Sequence, residues 1–368
     1  MSLCFPALAL GLDYGAALDK RYAPYADWEA RLDIEELEAM EAASAAGAWW
    51  SGPEAIREAG RESALPLSGL HLALDPGHIG GEWAELEGRD FKINPDDLPV
   101  REGDLVLEVA RRVEAELVAM GAEVSLLRQG NKPVNPRPPE AYLSRAAQSV
   151  DMPEDLSWSS LLDYGLALRH AMIRMAVISG ELIERARVVN EEIQPDALIS
   201  LHINAAPWPQ GDDGEIQYEL VDSNHSHVLI FGCLSDAELS QPRQREQTSL
   251  KLTNGSAGIE RILGQALGLS IGRSTALPPS SYSGRNAVRL DGCTPYLWAR
   301  NLLLLRYVAC PTVLLEPYIA NSRPTHARLQ EALRNRRADR PLPDDDILLE
   351  YANAVVEGLL AVYGPQEN

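Results

Sequence analysis

Four short apolar runs along the chain predict buried β-strands. They occupy residues 70–74, 123–128, 197–204 and 311–317. Each is too short for an ordinary helix, and glycine, proline or charged residues bound the runs, as is typical of strands that are covered on both faces. We therefore expect these four segments to form the centre of a sheet.

A helical pattern lies between the first two of these runs. Apolar side chains recur at steps of three and four over residues 105–120, and Gly121 stands at the position that commonly ends a helix. Strand, helix and strand within about sixty residues indicate a βαβ unit and hence a parallel sheet. Further helices are predicted over residues 33–41, 159–190, 259–269 and 346–363.

The predicted fold is α/β, with a mostly parallel central sheet flanked by helices on both faces. Residues 1–65 are expected to be a helical N-terminal extension and linker, and residues 66–368 the main domain. Two long insertions, at about 129–180 and 222–289, interrupt that domain. We expect both insertions to leave the carboxyl end of the sheet, where long loops often form the walls of a cleft.

Chemically reactive side chains stand at the ends of three of the predicted strands. Residues 75–81 read Asp-Pro-Gly-His-Ile-Gly-Gly, so that His78 follows the first strand in a glycine-rich loop. His202 lies near the end of the third strand, and Glu316 ends the fourth. In open α/β sheets, ligands are held in the crevice at the carboxyl ends of the strands. Two histidines and a carboxylate there suggest a metal site.

These blocks resemble the zinc-dependent N-acetylmuramoyl-L-alanine amidases, peptidoglycan hydrolases of the His-Glu-His zinc type. The resemblance rests on the loop of His78, the helix start at Glu102, the Ser-Leu-His-Ile-Asn run ending at Asn204 and the Val-Leu-Leu-Glu run ending at Glu316. Arg185, Asn190 and the segment 214–218 match smaller features of the family, the last being the strand that follows the second histidine. The similarity covers roughly residues 67–364.

The resemblance implies one Zn²⁺ bound by His78, Glu102 and His202, with Glu102 just before the helix. Spacing alone leaves other carboxylates open as the third ligand, namely Glu82, Glu85, Glu87 and Glu108, although the last is expected to face solvent. The family usually has lysine after this glutamate, whereas Gly103 follows it here.

The catalytic candidate is Glu316, as the general base that takes a proton from water and passes one to the leaving amine. Burial at the end of an apolar strand is expected to raise its pKa. Asn204 lies two residues after His202 and projects to the same side, where it is expected to orient substrate or a ligand. Asp75 is expected to hold the ring of His78.

One further histidine pair has two readings. His225 and His227 alternate along the chain and would share one face of a strand, as a second metal pair would require. We favour instead an exposed polar loop beside Asn224.

The implied function is hydrolysis of the amide bond between N-acetylmuramic acid and L-alanine in peptidoglycan, with peptidoglycan or a muropeptide as partner. One alternative is a zinc peptidase or amidohydrolase acting on another amide. The other is an inactive cell-wall binding or regulatory module. Whether a protein activator is required stays open.

Composition narrows the class of partner. The 368 residues carry a net charge of −21, which argues against nucleic acid, and no apolar run is long enough to predict a membrane span. The four cysteines lack metal-binding spacing, and a bridge between Cys233 and Cys293 stays open. Residues 3–12 are apolar but make a poor signal peptide. Either the chain is cytoplasmic, or a signal is missing from this sequence and the protein is periplasmic or secreted; the resemblance favours the second.

Overall fold

A seven-stranded mixed sheet forms the centre of the molecule in the computed structural model, which describes residues 13–44, 48–211 and 214–366. The apolar run at residues 3–12, with Cys4, lies outside the described residues. The strands are β1 (His71–Pro76), β2 (Asp90–Phe91), β3 (Val100–Arg101), β4 (Glu123–Leu126), β5 (Ala197–Leu201), β6 (His227–Phe231), β7 (Val288–Arg289), β8 (Leu297–Arg300) and β9 (Thr312–Glu316).

The strand order in the sheet is β4-β1-β5-β9-β6-β8-β7, and β2 pairs with β3 separately. Strands β4, β1, β5 and β9 are adjacent in the sheet and run parallel to one another. Strand β6 is antiparallel to β9, β8 is parallel to β6, and β7 is antiparallel to β8. The predicted parallel centre, and all four predicted strands, are confirmed. The carboxyl ends of β1, β5 and β9 therefore meet at one edge of the sheet.

Helices cover both faces of this sheet. They are α1 (Tyr14–Ala17), α2 (Ile34–Ser44), α3 (Pro53–Glu62), α4 (Glu102–Ala119), α5 (Leu143–Ala146), α6 (Trp158–Arg174), α7 (Glu181–Val188), α8 (Asp236–Leu239), α9 (Pro242–Thr253), α10 (Ser256–Thr275), α11 (Leu303–Tyr307), α12 (Arg323–Arg337) and α13 (Ile347–Tyr363). Turns of π-helix at Met175–Gly180 and Val189–Ile193 continue α6 and α7, so the predicted helix over 159–190 is present. Gly121, at φ +96°, ends α4 as predicted.

Alternate side chains of the strands build two separate cores, because successive residues of a strand point to opposite faces. Leu72 and Leu74 of β1 join the cluster with α4, α10 and α13, whereas Ala73 packs with Ala186 and Val189 on the other side. Burial on both faces explains why these strands are continuous apolar runs rather than alternating ones.

The N-terminal segment is part of the second face. Leu18 and Tyr22 are almost fully buried and pack with Leu229 and Phe231 of β6 and with Leu314 of β9. Residues 13–44 thus contribute to the core of the sheet, although the domain boundary at residue 65 stays a prediction.

The segment 222–289, expected to be an insertion of long loops at the carboxyl end of the sheet, also contains regular elements of the fold. It supplies β6, a central strand of the sheet, and α10, which packs against α13 beneath the sheet. The strand expected at residues 214–218 is absent there; only a single bridge joins Gln210 and Ile216. The strand that follows the second histidine is β6. Cys233, Cys293 and Cys310 are free thiols. Within the described residues, no helix is both long and apolar enough to cross a membrane.

Candidate metal centre and catalytic carboxylate

The loop after β1 carries His78 to the carboxyl edge of the sheet. His78 has φ +57°, a left-handed conformation that makes the chain turn sharply after the strand. Gly77, just before it, lies against the imidazole of His202: a Cβ at this position would be 2.3 Å from Cε1 of His202. Glycine is therefore required here, because any side chain would separate the two histidines.

Two buried arginines hold this loop by its backbone carbonyl groups. Arg185 of α7 donates to the oxygens of Pro76 and His78 at 2.9 and 2.7 Å. Arg128, just after β4, donates to the oxygens of Pro76 and Gly77 at 3.0 and 3.1 Å. Residues distant along the chain, on α7 and after β4, thus help to fix the loop of His78.

Asp75 acts on this loop through Arg185. Its carboxylate lies 2.7 Å from the guanidinium of Arg185 and accepts a hydrogen bond from Ser200 at 2.6 Å. Burial raises the pKa of Asp75, but Arg185 and Ser200 outweigh that effect, so the net pKa is lowered and the carboxylate is ionised. The expected contact with the ring of His78 is made by Glu87 instead.

Glu102 connects the two histidines. Its Oε2 is 3.2 Å from Nε2 of His78, and its Oε1 is 2.9 Å from Nδ1 of His202. Glu102 is the first residue of α4 rather than a loop residue before the helix. Ligand atoms of His78, Glu102 and His202 all lie within 4.8 Å of one another.

Gly103 explains the departure from the expected lysine. A Cβ at Gly103 would lie 2.5 Å from the backbone nitrogen of Gly80 and 2.9 Å from the carbonyl carbon of Ile79. The start of α4 packs directly onto the glycine-rich loop, and only glycine permits that approach.

Glu87 was left open by spacing as a third metal ligand, but in the structure it contacts the ring of His78. It lies 3.3 Å from Nδ1 of His78 and accepts the backbone N–H groups of Ile79 and Gly80. A carboxylate on the second nitrogen of a metal-binding histidine fixes the orientation of its ring. No sequence signal separates Glu87 from Glu82 and Glu85, because the loop conformation alone selects it. Glu108 pairs with Arg112 and Arg336, away from the histidines.

The cluster attracts positive charge. Nε of Arg89 lies 3.2 Å from Nε2 of His78 and 3.2 Å from Oε2 of Glu102. Burial lowers the pKa of His78, but Glu102 and Glu87 outweigh it and raise that pKa to about 9. Two imidazoles and a carboxylate, converging where a cationic side chain already lies, fit a divalent cation with nitrogen and oxygen ligands.

Glu316 ends β9 at the same edge and forms a pair with His227. Oε2 of Glu316 is 2.7 Å from Nε2 of His227, and the two residues are opposite each other in the β6–β9 ladder. Burial raises the pKa of Glu316. The hydrogen bond and the charge of His227, together with the charge of His202, lower it by more, so the net pKa is below its usual value. The expected rise in the pKa of Glu316 is wrong, because the pairing with His227 outweighs the effect of burial.

His227 is 1% exposed, so the reading of this stretch as an exposed polar loop is wrong for this residue. His225 stacks on it, with ring centroids 6.0 Å apart. The residue that binds Glu316 is therefore one of the pair that the sequence singled out, in a role that spacing did not suggest.

One cavity of about 480 Å³ joins these groups. It is lined by His78, Glu102, His202, Asn204 and Glu316 together with residues of two walls. One wall comes from Arg174 to Leu182, where the first insertion meets α7, and the other from Arg300 to Leu304. The side chain of Asn204 accepts the backbone N–H of Ala205 at 2.8 Å, and its role toward substrate stays a prediction.

The chain is similar to a germination-specific N-acetylmuramoyl-L-alanine amidase of Bacillus subtilis (strain 168), with 27% identity over 143 residues. The match spans 39% of this chain and 42% of that relative, less than half of either. No protein-family model matches the chain. The match confirms the resemblance indicated by the motifs.

Solved structures of proteins named as amidases are also similar to this chain. The N-acetylmuramyl-L-alanine amidase Ami1 from Mycobacterium smegmatis has a TM-score of 0.42 and 17% identity, covering 81% of this chain and 98% of its own. The CwlD amidase from Clostridioides difficile, solved in complex with the GerS lipoprotein, has a TM-score of 0.42 and 13% identity, covering 80% and 98%.

Proposed function

We propose that this chain is a zinc-dependent N-acetylmuramoyl-L-alanine amidase. The observation that carries the proposal is the convergence of His78, Glu102 and His202 within 4.8 Å, in a cavity that Glu316 also lines. The sequence similarity to an amidase of this specificity supports the choice of substrate.

His78, Glu102 and His202 would hold the metal. When bound, Zn²⁺ lowers the pKa of a water ligand toward 7 and polarises the scissile carbonyl group. A set of two imidazoles and one carboxylate would match the three protein ligands of hydrolytic zinc sites. Glu87 keeps the ring of His78 in one orientation, while Arg185 and Arg128 keep its loop at the strand end.

Glu316 would act as the general base. Its lowered pKa keeps the carboxylate ionised near neutral pH, ready to accept a proton from the attacking water. The same group then protonates the nitrogen of the leaving amine, so that the carboxylate is restored at the end of the cycle. The products would be a glycan strand with a free lactyl carboxylate and a stem peptide with a free L-alanine amine.

We place this activity at the cell envelope, because peptidoglycan lies outside the cytoplasm. A peptidase acting on another amide would use the same residues and differ only in what the cavity admits. An inactive binding module would have no need to keep four reactive side chains in contact with one cavity.

The test combines metal content with product analysis. Purified protein is expected to contain one zinc per chain, and to release stem peptides with a new N-terminal alanine from peptidoglycan. His78→Ala and His202→Ala should abolish stoichiometric zinc, while Glu316→Gln should keep zinc and lose a factor of about a hundred to ten thousand in turnover.

Two matched glutamate variants decide the third ligand. Glu102→Gln should lose zinc, whereas Glu87→Gln should weaken binding without abolishing it, since the ligand itself stays; Glu82→Gln is the control on the same loop. Full zinc and activity in Glu102→Gln would overturn the ligand assignment. Cleavage of peptides that lack muramic acid, with intact peptidoglycan left uncut, would favour the peptidase.

A further inference from the structure

The ladder between β6 and β9 places a buried histidine behind the catalytic carboxylate. His227 is opposite Glu316 in the register, and its Nε2 lies 2.7 Å from Oε2 of Glu316. The two strands are antiparallel, so their backbone hydrogen bonds fix the distance between these side chains independently of the loops.

The hydrogen bonds of His227 are concentrated on one nitrogen. The hydroxyl of Tyr282 lies 3.0 Å from the same Nε2, and Nδ1 is buried without a hydrogen-bond partner among the described residues. An ionised carboxylate only accepts hydrogen bonds, so the 2.7 Å contact with Glu316 places a proton on Nε2 and makes His227 the donor. Leaving Nδ1 unpaired in the interior costs stability, so packing alone does not account for histidine at this position.

Aromatic packing restrains the ring of His227. Tyr282 contacts it edge-on, with ring centroids 5.5 Å apart, and packs in turn on Trp298 of β8 at 5.0 Å. His225 stacks from another side. At 1% exposure His227 is shielded from the cavity, so any effect on the reaction passes through Glu316.

We propose that His227 is a positioning residue for the general base, and that Tyr282 holds it in place. The inference rests on the proposed function. His227 donates a hydrogen bond from Nε2–H to Oε2 of Glu316 and fixes the carboxylate, which leaves Oε1 to accept the proton of the attacking water. That proton passes from Oε1 to the leaving nitrogen, and His227 neither gains nor loses a proton in the cycle.

The decisive comparison uses two substitutions at one position. His227→Phe keeps an aromatic ring and removes the donor, while His227→Gln keeps an N–H donor at about the same reach. We expect His227→Phe to lower kcat about 10- to 100-fold with KM and zinc content unchanged, a cost typical of removing a group that orients a reactive residue. His227→Gln should recover most of this loss.

Two controls separate the hydrogen bond from packing. Tyr282→Phe keeps the ring and removes only the hydroxyl, so it should lower kcat less than His227→Phe does. His225→Phe replaces the neighbouring histidine, which stacks on the ring but does not touch Glu316, and should leave kcat unchanged. If His227→Phe does not fold, the comparison of His227→Gln with Tyr282→Phe and wild type stands in its place, with kcat expected in the order wild type, Gln, Phe.

The outcomes distinguish this inference from the proposed function. Wild-type kcat in a folded His227→Phe variant, equal losses in the Gln and Phe variants, or an equal loss in His225→Phe would each overturn the positioning role. A wild-type protein without zinc-dependent release of stem peptide would overturn the proposed function itself, whatever these variants do.

Discussion

Two buried ionic networks lie at opposite ends of the parallel strands and hold different segments of the chain. At the carboxyl end, Arg185 pairs with Asp75 and Glu181 at 2.7 and 2.8 Å, and all three are at most 2% exposed. At the amino end of β9, Glu260 pairs with Lys251 at 2.5 Å and also with Arg21. One network has a single cation between two carboxylates, the other a single carboxylate between two cations.

The backbone groups that each network binds explain the difference. The carboxyl-end network reaches the carbonyl groups of Pro76 and His78, which carry the candidate metal ligand. In the amino-end network, Arg21 donates to the carbonyl groups of Phe231 and Ala257, which ties the N-terminal segment to β6 and α10. Buried charge anchors one segment to another in both cases, but only the loop of His78 belongs to the site.

Removing Arg185 should have the largest effect. Arg185→Met keeps similar bulk but leaves Asp75 and Glu181 buried without their cation, which typically costs about 3–5 kcal/mol. Because the loop of His78 loses two hydrogen bonds, zinc and activity should fall as well. Urea unfolding and zinc content measure the two effects. Arg187→Met removes a half-exposed ion-pair partner on the same helix, away from the loop of His78, and is the control: it should keep wild-type zinc and lose less stability than Arg185→Met. Retained zinc in Arg185→Met would show that the loop holds its shape alone.

Glu260→Gln should destabilise the protein without touching the site. The substitution leaves Lys251 and Arg21 buried with no counter-charge, at a cost of about 3 kcal/mol, near the lower end of values for broken buried pairs. At temperatures where the variant stays folded, zinc content and kcat should equal those of wild type. A proportional loss of zinc would contradict the separation of the two networks.

The pH dependence of stability should sharpen the same comparison. Burial raises the pKa of Glu260, but Lys251 and Arg21 outweigh it and the net pKa is lowered in the folded protein. The stabilisation from this group is therefore complete above the unfolded-state pKa of about 4.3 and is lost as the pH falls toward the folded-state value. The stability difference between wild type and Glu260→Gln should be constant near pH 6–7 and shrink below about pH 4. Urea midpoints with a chelator present measure it, and a constant difference down to pH 3 would mean that the pKa of Glu260 is the same in the folded and unfolded states.

The candidate site was predictable where a residue type and a strand end coincide. His78, His202 and Glu316 each follow an apolar run, and the parallel arrangement of β1, β5 and β9 brings them to one edge. For residues in loops, no such signal distinguished one candidate from another. Glu82, Glu85 and Glu87 are equivalent by spacing, and only the left-handed turn at His78, with the N–H groups that follow it, selects Glu87.

The segment 222–289 shows a limit of predicting this fold from the sequence. It was expected to be an insertion, but it contains the central strand β6, a five-residue run next to a polar segment. The pairing of β6 with β9 joins residues about ninety positions apart, so local sequence does not predict it.

The sequence by itself determined the parallel centre of the sheet, the strand-end positions of the proposed ligands and the resemblance to an amidase. Apolar runs and glycine-rich turns are local signals, because each depends only on residues that are neighbours along the chain. Only the tertiary structure decided that Glu87 orients His78, that His227 binds Glu316 and that Arg185 holds the ligand loop. Each of these contacts joins segments whose approach is set by packing of the whole core, and the pKa of a buried group follows from the neighbours that this packing brings to it.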